Sequence, residues 1–226
     1  MEETIIFALI ERSQFLRNPP IYKTGIFGNA LKGESLVGFL LRETERTHAK
    51  VRRYCSPDEH PFYEVLEAPI LPELHLDNSP IQPNTININD TIRKTYEHDM
   101  IPLICHTGDD NEYGSAAVCD VACLQALSKR IHYGKFVAES KRRNADSKFQ
   151  KAISSKNPDA IMDAITDKSV EDAVLQRVAI KAGTYTRELC EASLSTTVAP
   201  EIIVDIYRKW IIPLNKQVQV SYLLET

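Results

Sequence analysis

Arg130-Ile131-His132-Tyr133-Gly134-Lys135-Phe136-Val137-Ala138-Glu139-Ser140-Lys141 contains no proline, and its one glycine is followed by good helix formers. On a helix, residues eleven apart return to one face about three turns on, roughly 16 Å along the axis. Arg130 and Lys141 therefore point the same way, above a floor of Gly134, Val137 and Ala138. Two long cations leaning together over small residues can clamp a compact dianion. A solvated basic stripe fits the spacing equally well. The apolar surroundings of the stretch favour burial.

Working outward, helical periodicity dominates the chain. It predicts helices over roughly 2–16, 35–52, 89–104, 115–143, 146–155, 157–165, 169–188 and 199–223. Ser35, Asn89, Ser115, Asn157 and Ser169 are residue types that favour helix N-caps. Residues 18–34 hold Pro19, Pro20, Gly25, Gly28 and Gly33 and read as a loop. Residues 55–88 carry six prolines and read as a long irregular connection, with a short helix near 58–66. A connection of that length drapes over a core or serves function. Strand signals are poor, and no repeat, low-complexity tract or clean linker divides the chain. The expected fold is all-α, a single-domain helical bundle over residues 1–226.

The 226 residues are 43% hydrophobic and 26% charged, with a formal net charge of −4. That balance supplies an ample core and argues against general nucleic-acid binding, while leaving room for a local basic pocket. Of the five cysteines, Cys119 and Cys123 are four apart in a predicted helix, a spacing that suits packing; none forms a CxxC. The odd count points to reduced thiols and a cytoplasmic protein. The apolar run Ile5–Ile10 is too short for a membrane span, and its flanks do not suit a signal peptide. The six histidines are too scattered for a metal set, and Gly108-Asp109-Asp110-Asn111 lacks calcium-loop spacing. His132, on an apolar helix, reads as structural.

Cys123 to Glu139 closely resembles the long helix of the all-helical chorismate mutases of fungi and plants. Ile5 to Arg12, Ser56 to Phe62, Gly108-Asp109-Asp110, Tyr113-Gly114-Ser115, Ile212-Pro213-Leu214, Val218-Gln219-Val220 and Tyr222-Leu223-Leu224 are similar to that family's other segments, in order. The resemblance implies a pericyclic rearrangement of chorismate to prephenate in phenylalanine and tyrosine biosynthesis, needing no nucleophile, metal or cofactor. A site for that reaction must hold a folded dicarboxylate and stabilise charge growing on the breaking ether oxygen.

By the same resemblance, Arg130 grips a substrate carboxylate, in the bidentate manner a guanidinium favours. Lys141 reaches a carboxylate and the ether oxygen, and Gln219 makes the second ether-oxygen contact. A neutral amide donates without first gaining a proton, so Gln219 implies activity over a broad pH range. Glu171 accepts a hydrogen bond from the ring hydroxyl, with Asp167 as its polar neighbour; from the residues alone, Glu171 is also a first-turn carboxylate favoured by the helix dipole. Asn215 stands where the family usually has Thr and is expected to bind a carboxylate. Glu2 resembles a carboxylate that pairs with the arginines matching Arg130 and Arg177.

Two departures matter. Relatives begin with further helical turns carrying an arginine for a substrate carboxylate, and neither Arg12 nor Arg17 is in its register. The alternative to an active mutase is therefore a weakened or inactive mutase-like dimer. The resemblance also implies a homodimer and an interface site for a tyrosine or tryptophan effector, formed by Arg52, Arg53 and the helix start at Gly114 and Ser115, whose exposed N–H groups attract carboxylates. There Val118 replaces the Thr of a tyrosine-inhibited relative. A helix start with surface arginines reads the same residues without an effector.

Overall fold

The computed structural model describes residues 1–64, 67–72, 79–192 and 198–226, and among them no strand forms. The chain runs through α1 (Glu2–Arg12), α2 (Leu36–Lys50), α3 (Asn89–Thr95), α4 (Ile101–Ile104), α5 (Tyr113–His132) and α6 (Gly134–Arg143). It continues through α7 (Ser147–Ser154), α8 (Pro158–Ile165), α9 (Lys168–Ala192), α10 (Pro200–Ile206) and α11 (Ile212–Glu225). α5 forms the spine, packed by α1, α2, α3 and α11; α11 also lies on α6 and α8, and α9 on α1 and α10. Among the described residues no helix is long and apolar enough to cross a membrane.

The expected 89–104 and 199–223 helices form, each with an internal π-helical turn, at Tyr96–Met100 and Tyr207–Ile211. Both turns lead directly into an Ile-Pro pair, Ile101-Pro102 and Ile212-Pro213. Proline lacks a donor and its ring crowds the carbonyl four residues back, so the wider turn lets the helix pass through it.

Several expected boundaries move. α1 ends at Arg12, and not near residue 16, because the Arg12 guanidinium turns back on the chain and donates to the carbonyls of Phe15, Leu16 and Arg17. Arg12 is fully buried, and its Nε meets Asp120 Oδ1 at 2.7 Å. The hydroxyls of Tyr22 and Tyr96 donate to the same carboxylate at 2.8 and 2.7 Å. Burial pushes the Asp120 carboxyl up, and Arg12 with the two tyrosines opposes that shift. Ser35 and Asn157 cap as expected. Glu112 precedes α5 in place of Ser115, Ile88 precedes α3 in place of Asn89, and Asp167 in place of Ser169 caps α9, accepting from Ser169 N and Val170 N. The 18–34 loop carries two short 3₁₀ turns, Pro19–Tyr22 and Gly28–Leu31. No helix forms over 58–64; the rest of that expected helix, 65–66, lies outside the described residues.

The expected 115–143 helix is two helices. It breaks at Tyr133, where Phe136 N reaches back only to Tyr133 O. The cause is α11: Asn215 Nδ2 inserts against the end of α5, donating to Arg130 O at 3.2 Å and Ile131 O at 3.0 Å. A side chain inserted into a helical ladder is a recognised origin of a kink. Gly134 makes the approach possible, since a Cβ there would lie 2.7 Å from Asn215 O.

Candidate active site

The break does not separate Arg130 from Lys141. Both line one cavity of about 260 Å³, walled by α5 and α6 on one side and by α9 and α11 on the others. Asp167, Glu171, Asn215 and Gln219 line it too, so six residues expected at the site from the sequence meet in one place. Val137, Val174 and Ile212 give it apolar walls. A larger groove of about 900 Å³ adjoins it between α6, α7 and α8, sharing Lys141, Ile165 and Asp167 but neither Arg130 nor Gln219. The smaller cavity holds the convergent donors, and for that reason it is the candidate site.

Its cations are held differently. Among the described residues no carboxylate pairs with Arg130. Lys141 Nζ donates to the carbonyl of Ile165 at 2.5 Å, and burial lowers its pKa, with Asp167 acting in the opposite sense. An incoming dianion would restore the compensation that burial removes. Glu171 Oε1 accepts from Lys216 Nζ at 3.0 Å. Lys216 belongs to the cavity wall and was missed from the sequence, although Ile212, Asn215, Lys216 and Gln219 share one helical face by their i, i+3, i+4, i+7 spacing.

Three expected roles are altered by the geometry. Asp167 is exposed, and its Oδ1 accepts from the Ser169 hydroxyl and backbone at 2.7 and 3.0 Å, which lowers its pKa; it starts α9 as well as bordering the cavity. Asn215 is buried, with Nδ2 spent on the two carbonyls and Oδ1 accepting from Gln219 Nε2 at 2.8 Å. Glu2 pairs with Arg177 at 3.0 Å as expected, but its second cation is Lys181 at 3.4 Å and not Arg130. His132 is structural: Nδ1 meets Ser128 O, Nε2 accepts from Ile88 N, and the ring stacks on His60. Burial holds it near 4, with the Ser128 hydrogen bond opposing and Lys135 reinforcing the shift.

The residues expected to bind an effector lie elsewhere. Gly114 and Ser115 are exposed in the first turn of α5. Arg53 donates to Glu59 and Gln125 at 3.2 and 3.1 Å, and Arg52 donates to the carbonyl of Pro72. Within the chain, no hydrogen bond among the described residues links either arginine to Gly114 or Ser115.

Comparison with known proteins finds relatives along the whole chain. Residues 113–220 match the family model of chorismate mutase type II. The chorismate mutase of Emericella nidulans is 45% identical over 100% of this chain and 88% of its own length. A crystal structure of AtCM1 with tyrosine bound in its allosteric site matches with a TM-score of 0.91 at 43% identity, covering 99% of this chain and 90% of that one. The Aro7p chorismate mutase of Candida albicans, in complex with L-Trp, matches with a TM-score of 0.88 at 38% identity, covering 100% of this chain and 87% of that one.

Proposed function

The chain belongs to the chorismate mutase family, and from that premise we propose that the cavity between α5–α6, α9 and α11 binds chorismate and rearranges it to prephenate. The chain is thus an isomerase of aromatic amino acid biosynthesis. In this reading Arg130 holds one carboxylate of the substrate by paired N–H donors. Lys141 and Gln219 donate toward the ether oxygen as its bond to the ring breaks and negative charge grows there. Glu171, itself held by Lys216, accepts from the ring hydroxyl. Val137, Val174 and Ile212 press the substrate into its folded conformer, which makes a unimolecular step of correct geometry faster without any proton leaving or arriving.

The observation that carries the proposal is the meeting of Arg130, free of any carboxylate partner among the described residues, with Lys141 and the buried Gln219 in one cavity. The test is the loss of the substrate's diene absorbance. Arg130→Ala and Lys141→Ala should each lower kcat/KM by at least ~10²-fold, about 2.7 kcal/mol. Near-native rates in both variants would overturn the assignment.

A second site is part of the proposal, supported by relatives that hold tyrosine or tryptophan. An aromatic amino acid binds between two copies of this chain, its carboxylate held by Arg53 or Arg52 of one and the N–H groups at Gly114 and Ser115 of the other. Val118, exposed beside that helix start, offers no hydrogen bond. The proposal also takes residues 1–226 as one domain working in the cytoplasm as a homodimer.

A further inference from the structure

Asn215 lines the candidate site, yet its side chain has little left to offer a substrate. Its Nδ2 hydrogens go to the carbonyls of Arg130 and Ile131, at 3.2 and 3.0 Å. Both acceptors are backbone groups at the end of α5 and cannot reverse their polarity. The amide of Asn215 therefore has one orientation, with Oδ1 toward Gln219. Gln219 sits one turn on in α11, 4% exposed, and its Nε2 is 2.8 Å from that oxygen. Turning the Gln219 amide over would set Oε1 against Oδ1, two acceptors with no proton between them. Gln219 Oε1 is buried and has no hydrogen-bond partner among the described residues, so none of their side chains but Asn215 holds the amide in place.

We propose that Asn215 is a positioning residue that fixes the orientation of the Gln219 amide, so that the remaining Nε2 hydrogen, and not the amide oxygen, serves the breaking ether bond. This rests on the chorismate reading of the cavity. The polarity runs from the backbone at the α5–α6 break, through Asn215, to Gln219. Gly134 belongs to the same device, because any side chain there would push α11 and Asn215 away from the break. Selecting one amide rotamer is a preorganisation effect: it changes the rate at saturating substrate more than substrate affinity.

The experiment is a double-mutant cycle on the full chain with Asn215→Ala and Gln219→Ala, joined to a pH profile of Gln219→Glu. Asn215→Ala should lower kcat about tenfold when Gln219 is present and less than about twofold in the Gln219→Ala background, with KM little changed. Gln219→Glu has one proton when neutral and none when ionised, so only its neutral form can donate to the ether oxygen; its activity should fall as pH rises, with a midpoint above the ordinary carboxyl range because Asn215 Oδ1 opposes the ionised form. Adding Asn215→Ala removes the opposing oxygen and should move that midpoint down by about one unit or more. Should Asn215→Ala fail to fold, Asn215→Leu takes its place, since it keeps a side chain of similar branching with no polar atom for Gln219. Additive losses in the cycle, together with an unmoved midpoint, would overturn the positioning role while chorismate turnover by the native chain keeps the site assignment standing. Absence of turnover in the native chain would overturn both.

Discussion

Arg12 and Arg130 are both drawn into the body of the protein, and they are treated in opposite ways. Arg12 is fully buried, with Asp120, Tyr22, Cys105 and three carbonyls around its guanidinium. Arg130 borders a cavity with no carboxylate paired to it among the described residues, beside Lys141, whose own partner is a neutral carbonyl. The first cation is compensated by the protein. In the proposed site the second is compensated by the ligand. A buried charge that the fold satisfies is architecture, and a charge left unsatisfied at a cavity stores binding energy for something that arrives later.

The comparison breaks most sharply at Asp120. Asp120→Ala leaves the Arg12 guanidinium enclosed without its counter-charge and should cost about 3–5 kcal/mol of folding stability, read from urea denaturation. A loss under about 1 kcal/mol would mean water or neighbouring carbonyls serve Arg12 well enough alone.

A third kind of group, the buried His132 and the half-buried His60 stacked on it, has no counter-charge and is held neutral. His132 is depressed to about 4 and His60 to about 3, both mainly by burial. A base depressed in the fold contributes stability that is present above its unfolded value of 6.5 and lost as pH falls toward the folded value, because the unfolded chain takes up the proton first. For His132 alone the loss between pH 6.5 and 4 is about 3 kcal/mol, from 1.36 kcal/mol per unit. Denaturant titrations across that range should show the decline, and His132→Gln should flatten it. An equally steep decline in the variant would place the acid sensitivity elsewhere.

Arg130→Ala should do the reverse of Asp120→Ala. The ~10²-fold or greater loss in kcat/KM, about 2.7 kcal/mol, should come with a stability change within about 0.5 kcal/mol. A variant that loses both together would make Arg130 a structural residue like Arg12.

The smallest expected effect concerns Arg53. Its guanidinium already serves Glu59 and Gln125, so it stands between the two cases, partly satisfied and partly available. Arg53→Ala should weaken tyrosine or tryptophan binding by about tenfold, the worth of one charge-assisted hydrogen bond, by calorimetry. Unchanged affinity would leave Arg53 as a clamp on the 53–59 turn.

Much of this was legible in the sequence. Periodicity placed α2, α7 and α8 closely, because an amphipathic helix repeats its apolar positions every three to four residues wherever it packs. The break at Tyr133 was not legible, because Gly134 is tolerated inside a helix and the group that interrupts the ladder comes from Asn215, far along the chain. From the sequence Arg12 falls inside the predicted 2–16 helix, out of register with the family's N-terminal arginine. Nothing near it in sequence announces Asp120, which lies on α5. Lys216 could have been found from the shared face of α11, whereas its pairing with Glu171 depends on how α9 and α11 are set together.

The sequence by itself determined most of the helices, the family and six of the groups that converge on the cavity, since these follow from local periodicity and from side-chain chemistry at matched positions. The tertiary structure alone decided which charges are satisfied and which are free, and that Asn215 spends its donors on backbone carbonyls. Hydrogen-bond satisfaction is a property of atoms brought within about 3 Å of one another, and residues as far apart in the chain as Arg12 and Asp120, or Ile131 and Asn215, meet only when the helices pack.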